Sequence, residues 1–298
     1  MYERFYGLSG KPFSLLPDAD FLYPSKRHRM ALNLLEYGLE TQAGFTVITG
    51  EVGAGKTTII RRFLRGAGKD LTVGVITNTD KGFGRLLNSV ALAFDFDPAE
   101  AGSDYTKLYH RFVDFLVAQY AAGKRAILVV DEAQNFSVET LEELRMLSNV
   151  NNEKDQLLQT ILLGQPELLE MLKRPELRQF VQRIAVHYHL EALDAGETSA
   201  YIKHRLNVVG GRPELFDEEA CAAVHYFASG VPRLINLLCD FALVYGFSVD
   251  LKTIDFDTVF DVVRDRSRSG LTPFRAVPDG VDRKTVRSEI TSLSRLIA

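Results

Sequence analysis

The stretch Phe45–Thr58, FTVITGEVGAGKTT, constrains this chain more than any other. It opens with a short apolar run, Phe45 to Ile48, turns through Gly50, Gly53 and Gly55, and ends in Lys56-Thr57-Thr58 before continuing as IIRRFL. The order is strand, glycine-rich loop, helix start, and the spacing Gly50, four residues, Gly55-Lys56-Thr57 fits the P-loop pattern. The chemistry asks for these residue types. Backbone N–H groups must wrap a triphosphate, and a side chain on the loop would block that approach. A lysine must bring positive charge to the β- and γ-phosphates, and a hydroxyl must reach Mg²⁺. Gly50, Glu51, Val52, Gly53, Ala54, Gly55, Lys56, Thr57 and Thr58 are therefore expected to hold ATP, with Thr57 on the Mg²⁺.

The bulk properties set wide bounds. The 298 residues carry a formal net charge of −4, and 46% are hydrophobic and 25% charged, an ordinary globular composition. The length allows one large domain or two ordinary ones. The mild acidity argues against a dedicated nucleic-acid coat but leaves room for a local basic face. Cys221 and Cys239 lack metal-ligand spacing and lie on apolar helical stretches, so they read as reduced, buried cysteines. No apolar run approaches the roughly 18 residues that span a bilayer, and the opening MYERFYGLSGKPF is no signal peptide. A cytoplasmic location is expected, or a peripheral one at the inner membrane, with no transmembrane segment.

Along the chain, strand and helix signals alternate. Residues 1–43 form a lead-in with Tyr2, Phe5, Tyr6, Phe13, Phe21 and Tyr23, a strap packed on the core or the wall of an adenine pocket. Pro12, Pro17 and Pro24 forbid a long helix there, and a helix begins near Ser25. Strands are expected at 45–49, 71–77, 126–130, 157–163 and 184–190. Helices are expected from the P-loop to about Leu64, at 81–94, 104–122 and 137–147, and from Pro166. That alternation predicts an α/β core over 44–190 with a mostly parallel five-stranded sheet. After Leu190 the strand signals stop. Asp194 and Glu197 resemble a capping box, Asp217 caps a helix that Gly230 ends, Pro232 opens one that stops at Gly246, and a last helix covers Asp257 to Arg264. These predict a small all-helical domain, 191–266. Residues 267–298 read as a flexible linker and a short amphipathic helix that docks on a partner or on its own domain.

Several residues suit nucleotide chemistry. The run Ala126 to Val130 is fully apolar and ends in Asp131-Glu132, as in a strand buried on both faces whose carboxyl end meets a site. Asp131 fits the acid that orients Mg²⁺, and Glu132 the base that polarises the attacking water. Gln165 ends the fourth strand within reach of a γ-phosphate or that water. Arg178 and Arg183 precede the last strand and are candidates for a finger presented to a neighbouring subunit. Arg233 begins a helix after Gly230-Val231-Pro232, where a cation reads a γ-phosphate. Asn78 is a candidate to hold Glu132 in a resting position. His187 and His189 share a strand face but lack an evident third metal ligand, and Arg61, Arg62 and Arg65 read as a solvated face, with nucleic-acid contact as the alternative.

Together these pieces resemble an AAA+ ATPase: GEVGAGKTT, ILVVDEAQ, LEELRMLSN, LLQTILLGQPEL, RPELRQFVQRIAVHYHL, GETSAYIKHRL and GVPRLINLLCD follow in the expected order. The opening YERFYGLSGKPFSLLPDADFLY is similar to secretion ATPases of the general secretion pathway protein A (ExeA) type and their relatives at exosortase and exopolysaccharide loci. The resemblance covers about residues 1–265. It implies a P-loop AAA+ core with a helical lid and nucleotide between them. Lys56 and Thr57 would serve binding, Asp131 and Glu132 hydrolysis, Gln165 the first sensor, Arg183 the finger and Arg233 the second sensor. It also implies a homo-oligomer, ring or filament, with membrane-associated secretion or polysaccharide-export partners. Proteins of the ExeA type usually continue into a transmembrane helix and a peptidoglycan-binding domain, whereas this chain stops at Ala298, so the expectation favours the shorter relatives. A DNA-loaded regulator of transposition and a nucleotide-dependent scaffold are the alternatives.

Overall fold

The computed structural model describes residues 1–16, 18–66, 68, 70–77, 86–101, 104–151, 155–270, 272–277 and 282–297. The elements run α1 (Tyr2–Tyr6), α2 (Lys26–Glu40), β1 (Phe45–Gly50), α3 (Lys56–Gly66), β2 (Leu71–Ile76), α4 (Leu86–Ala93), α5 (Tyr105–Ala121), β3 (Arg125–Val130) and α6 (Val138–Leu147). They continue with β4 (Leu158–Gly164), α7 (Pro166–Leu172), α8 (Arg178–Val181), β5 (Ile184–Leu190), α9 (Ala195–Val208), α10 (Glu218–Ala228), α11 (Pro232–Ser248), α12 (Phe256–Arg268) and α13 (Arg283–Ile297). The chain divides into two compact units, one of Arg27–Glu51 and Ile59–Leu190, the other of Met1–Lys26, Val52–Thr58 and Glu191–Ala298.

The first unit is built on a five-stranded sheet of order β2-β3-β4-β1-β5, with every neighbouring pair parallel. β1 and β4 are buried along their whole length, and β3 everywhere but Arg125. A strand covered on both faces has no solvent side to alternate with, which is why 126–130 is apolar without interruption. On one face Leu87 and Val90 of α4, Phe112 and Leu116 of α5, and Leu141 and Leu144 of α6 share a core with Phe45, Leu128 and Leu162. The expected helix over 81–94 is seen as Leu86–Ala93, while 81–85 lie outside the described residues.

The second unit is helical, and side-chain caps start α9, α10 and α12. Asp194 and Glu197 form a reciprocal capping box on α9, Asp217 accepts from the Ala220 N–H at 2.7 Å on α10, and Asp255 from the Thr258 N–H at 2.9 Å on α12. Two helices outrun the sequence expectation. α12 spans Phe256–Arg268 rather than Asp257–Arg264. α11 passes Gly246 and ends at Ser248. Gly246 is a packing position instead of a stop: a Cβ there would lie 2.4 Å from Ile254 Cδ1 and 2.7 Å from the Tyr6 hydroxyl.

The aromatic lead-in joins this helical core. Tyr2, Tyr6 and Phe13 are buried in it, and Phe5, Phe21 and Tyr23 pack against it. The Tyr2 hydroxyl donates to Asp240, and Phe13 sits edge-on to Phe216 at 5.8 Å. Arg205 of α9, only 6% exposed, fastens the strap. Its Nε donates to Pro12 O at 2.6 Å and its Nη2 to Ser14 O at 3.2 Å, with the guanidinium 4.4 Å over the Phe21 ring. The tail helix α13 lies on the same unit. Val286 and Ile290 are buried with its core, Arg283 bridges Asp257 at 3.0 Å and Asp261 at 2.5 Å, and Arg287 pairs with Glu219.

Candidate functional site

Three consecutive strands deliver the candidate residues to one edge of the sheet. β1 lies beside β4, and β4 beside β3, all running the same way. The P-loop leaves β1 after Gly50, Asp131-Glu132 follow β3, and Gln165 follows β4, so all emerge from carboxyl ends, where open α/β sheets bind ligands. Local chemistry sets each exit. The Asp131 N–H donates to Ile76 O at 2.8 Å, carrying the β2–β3 ladder one residue further. Glu132 then turns into the left-handed region at φ 57, and its N–H donates to Asp131 Oδ1 at 3.0 Å. A non-glycine residue held at positive φ costs about 1 kcal/mol or more, and such positions concentrate at functional sites. After β4, Gly164 gives α7 room to fold back, since a Cβ would lie 2.6 Å from Leu168 Cδ2. Gln165 is then the N-cap of α7, with Pro166 in its first turn.

Glu132 is held from two sides. Gln134, in the short 3₁₀ turn Ala133–Asn135, donates its side-chain amide to Glu132 Oε2 at 2.6 Å. Gln165 donates its own to the same oxygen at 3.1 Å. Gln134 Oε1 in turn accepts the Gln165 backbone N–H at 3.0 Å. The three side chains, all half-buried, close a hydrogen-bonded ring that ties the end of β3 to the start of α7. Reading residues one at a time missed Gln134. The only signal was its place in the run Asp131-Glu132-Ala133-Gln134. Asn78, the sequence candidate for restraining Glu132, lies outside the described residues.

Along the P-loop, Glu51 and Val52 are exposed, Ala54 is buried, and Gly53 and Gly55 adopt positive φ of 83 and 106. Lys56, the first residue of α3, is 7% exposed, and Thr57 and Thr58 are half-buried behind it. Access for phosphate is one reason for each loop glycine. Gly53 has another: a Cβ there would lie 2.3 Å from Arg233 Cβ. The Arg233 N–H donates to Gly53 O at 3.2 Å, so the loop backbone satisfies a donor in the first turn of α11. The Arg233 side chain is exposed.

Arg183 is half-buried just before β5, and its Nη1 donates to Ser148 Oγ at 3.5 Å, while Arg178 at the start of α8 is exposed. Arg61, Arg62 and Arg65 are exposed on α3. His189 Nδ1 lies 3.0 Å from the Thr49 hydroxyl, and burial followed by the neighbouring His189 lowers the His187 pKa from the usual histidine value. No group of three or more His, Cys, Asp or Glu able to hold a metal occurs among the described residues.

A parallel sheet of this order, with a glycine loop and helix after β1 and an acid pair after β3, defines a P-loop protein of the AAA class. Residues 39–172 match the family model described as an AAA domain. Over 248 residues the chain is 42% identical to General secretion pathway protein A of Aeromonas hydrophila, a stretch that makes up 83% of this chain and 45% of that protein. The chain thus carries an AAA domain over residues 39–172 and is similar to general secretion pathway protein A, of which it spans about half the length. Among solved structures, the Aeropyrum pernix ORC2 protein (ADPNP-ADP complexes) aligns with a TM-score of 0.60 and 15% identity over 86% of this chain and 69% of its own. Cdc6p from Pyrobaculum aerophilum aligns with a TM-score of 0.61 and 16% identity over 91% and 74%. At such identities the likeness concerns the fold. The AAA domain over residues 39–172 implies nucleotide binding. Among the described residues, no helix is long and apolar enough to cross a membrane.

Proposed function

We propose that this chain binds ATP with Mg²⁺ and hydrolyses it to drive or regulate assembly of a bacterial envelope system for secretion or exopolysaccharide export. The supporting observation is Glu132: a carboxylate at the carboxyl end of β3, turned to φ 57 and fastened by Gln165 from the end of β4, on the sheet edge where the P-loop begins. Two positive-φ glycines followed by a buried lysine at the start of an eleven-residue helix suit a triphosphate, because backbone donors and a desolvated cation face one anion.

In this reading Gly50 to Gly55 cradle the phosphates, Lys56 neutralises the β- and γ-oxygens, and Thr57 and Asp131 hold Mg²⁺ with Thr58 behind them. The metal neutralises charge on the phosphate oxygens when bound. Glu132 orients and polarises the attacking water, and Gln165 reports on the γ-phosphate or on that water. Arg183 serves as a finger for a neighbouring subunit, and Arg233 as the cation on α11. A finger supplied by a neighbour makes turnover depend on assembly into a ring or filament. The envelope role is supported by the 42% identity to general secretion pathway protein A.

Glu132→Gln tests the chemistry. Nucleotide affinity stays within about twofold while turnover falls by at least ~100-fold, the range expected for a lost general base. Retained turnover removes Glu132 from this role. Turnover per subunit, followed across concentrations where assembly demonstrably changes, tests the finger, and a constant rate rejects it. The envelope role is tested in cells carrying Glu132→Gln, where loss of export is expected and full export favours a scaffold.

A further inference from the structure

We propose that Gln134 is a positioning residue for Glu132, setting the orientation of the base and joining it to Gln165. The inference rests on the reading of Glu132 as the base. Both ends of the Gln134 amide are engaged, the nitrogen on Glu132 Oε2 at 2.6 Å and the oxygen on the Gln165 N–H at 3.0 Å. A planar amide bound at both ends has one orientation, and it transmits that orientation to the carboxylate. Oε2 also takes the Gln165 side chain at 3.1 Å, so two N–H donors converge on one oxygen. The geometry also resists drift, because Glu132 sits in a left-handed turn and Gln165 holds the N-cap position directly before α7. Gln134 thus spans the two strand ends through side chains, where backbone pairing no longer reaches, and holds a base whose rate depends on placement.

The test compares Gln134→Leu with Gln134→Glu in the full chain. Gln134→Leu keeps most of the volume and loses both hydrogen bonds. It lowers kcat about tenfold with KM for ATP and nucleotide affinity unchanged. Gln134→Glu keeps the length but has no N–H to donate to Glu132 Oε2, and it lowers kcat at least as far with KM unchanged. A residue that only filled space would leave kcat at wild type in both variants. A second readout needs no turnover. In the absence of nucleotide, a thermal-denaturation double-mutant cycle between Gln134→Leu and Gln165→Ala gives a coupling well above experimental error. If Glu132→Gln stops turnover while Gln134→Leu leaves kcat at wild type, or the cycle shows no coupling, the proposal is overturned and Glu132 stays the base. If Glu132→Gln turns over normally, the underlying reading fails instead.

Discussion

Gln165 donates its side-chain amide to Glu132 Oε2 at 3.1 Å, across 33 residues of sequence. The end of β4 therefore touches the acid that follows β3 directly, and a change at Gln165 acts through Glu132. Gln165→Ala removes one donor from the carboxylate and the polar group at the end of β4. Turnover is expected to fall roughly ten- to a hundredfold, the scale of one hydrogen bond to a charged group, with nucleotide affinity nearly unchanged. Steady-state kinetics beside fluorescent-nucleotide titration check this, and an unchanged kcat would separate Gln165 from the chemistry.

Lys56 is buried at the first position of α3. Lys56→Ala removes the cation that the P-loop brings to phosphate, and nucleotide affinity is expected to drop by at least ~100-fold through lost charge-assisted hydrogen bonds. Isothermal titration with ADP and ATP measures it. Wild-type affinity in this variant would rule out the loop as the binding site.

Gly53→Ala acts on α11 through the loop. The new methyl would stand 2.3 Å from Arg233 Cβ on a backbone of φ 83. The variant must displace Arg233 or rebuild the loop, at a cost of about 1–3 kcal/mol including backbone strain. A lower Tm with weaker nucleotide binding is expected. An unaltered Tm would show that the close approach is easily relieved.

Arg205 binds two strap carbonyls with a buried guanidinium. Arg205→Ala leaves those groups unsatisfied and should cost about 3 kcal/mol, the sum expected for two charged hydrogen bonds after partial hydration. Arg205→Lys rescues little, because a point charge cannot replace a fork that reaches Pro12 O and Ser14 O at once. Chemical denaturation measures both variants, and full rescue by lysine would contradict the geometry.

Burial lowers the pKa of His204 and of His225, and His225 Nδ1 also lies 3.0 Å from the Thr198 hydroxyl. The unfolded chain then binds more protons than the folded one between the lowered values and the ordinary value near ~6.5. This contribution to stability is complete above about pH 6.5 and is lost as pH falls through the folded pKa values. His225→Asn should flatten that acid-side loss in Tm scans between about pH 7 and 5, relative to wild type at each pH. An equal slope in the two proteins would mean that His225 does not contribute.

Local rules made much of the fold legible. The strand 184–190 and the helix from 138 to 147 after its Ser137 cap follow from residues within one element's length, and so does the capping box of Asp194 and Glu197. Gly246 shows the limit of such rules. A glycine near a helix end reads as a stop, yet the helix continues because Ile254 and Tyr6 need the space, and neither is a local neighbour. The aromatic lead-in was ambiguous for the same reason, since an aromatic strap carries no record of which surface receives it.

The sequence by itself determined that a glycine loop and a lysine follow the first strand, and that an acid pair ends a strand buried on both faces. These are matters of residue type and spacing along one stretch of chain, and the backbone turns them into strand, loop and helix locally. Only the tertiary structure decided what surrounds them. Gly53 is small for Arg233, 180 residues away, as well as for phosphate. Gln134 acquires a part because β3 and β4 are neighbours, which brings Gln165 to the carboxylate that Gln134 already holds. Strand order is set by packing the whole sheet between its helices, and no short run of residues carries it.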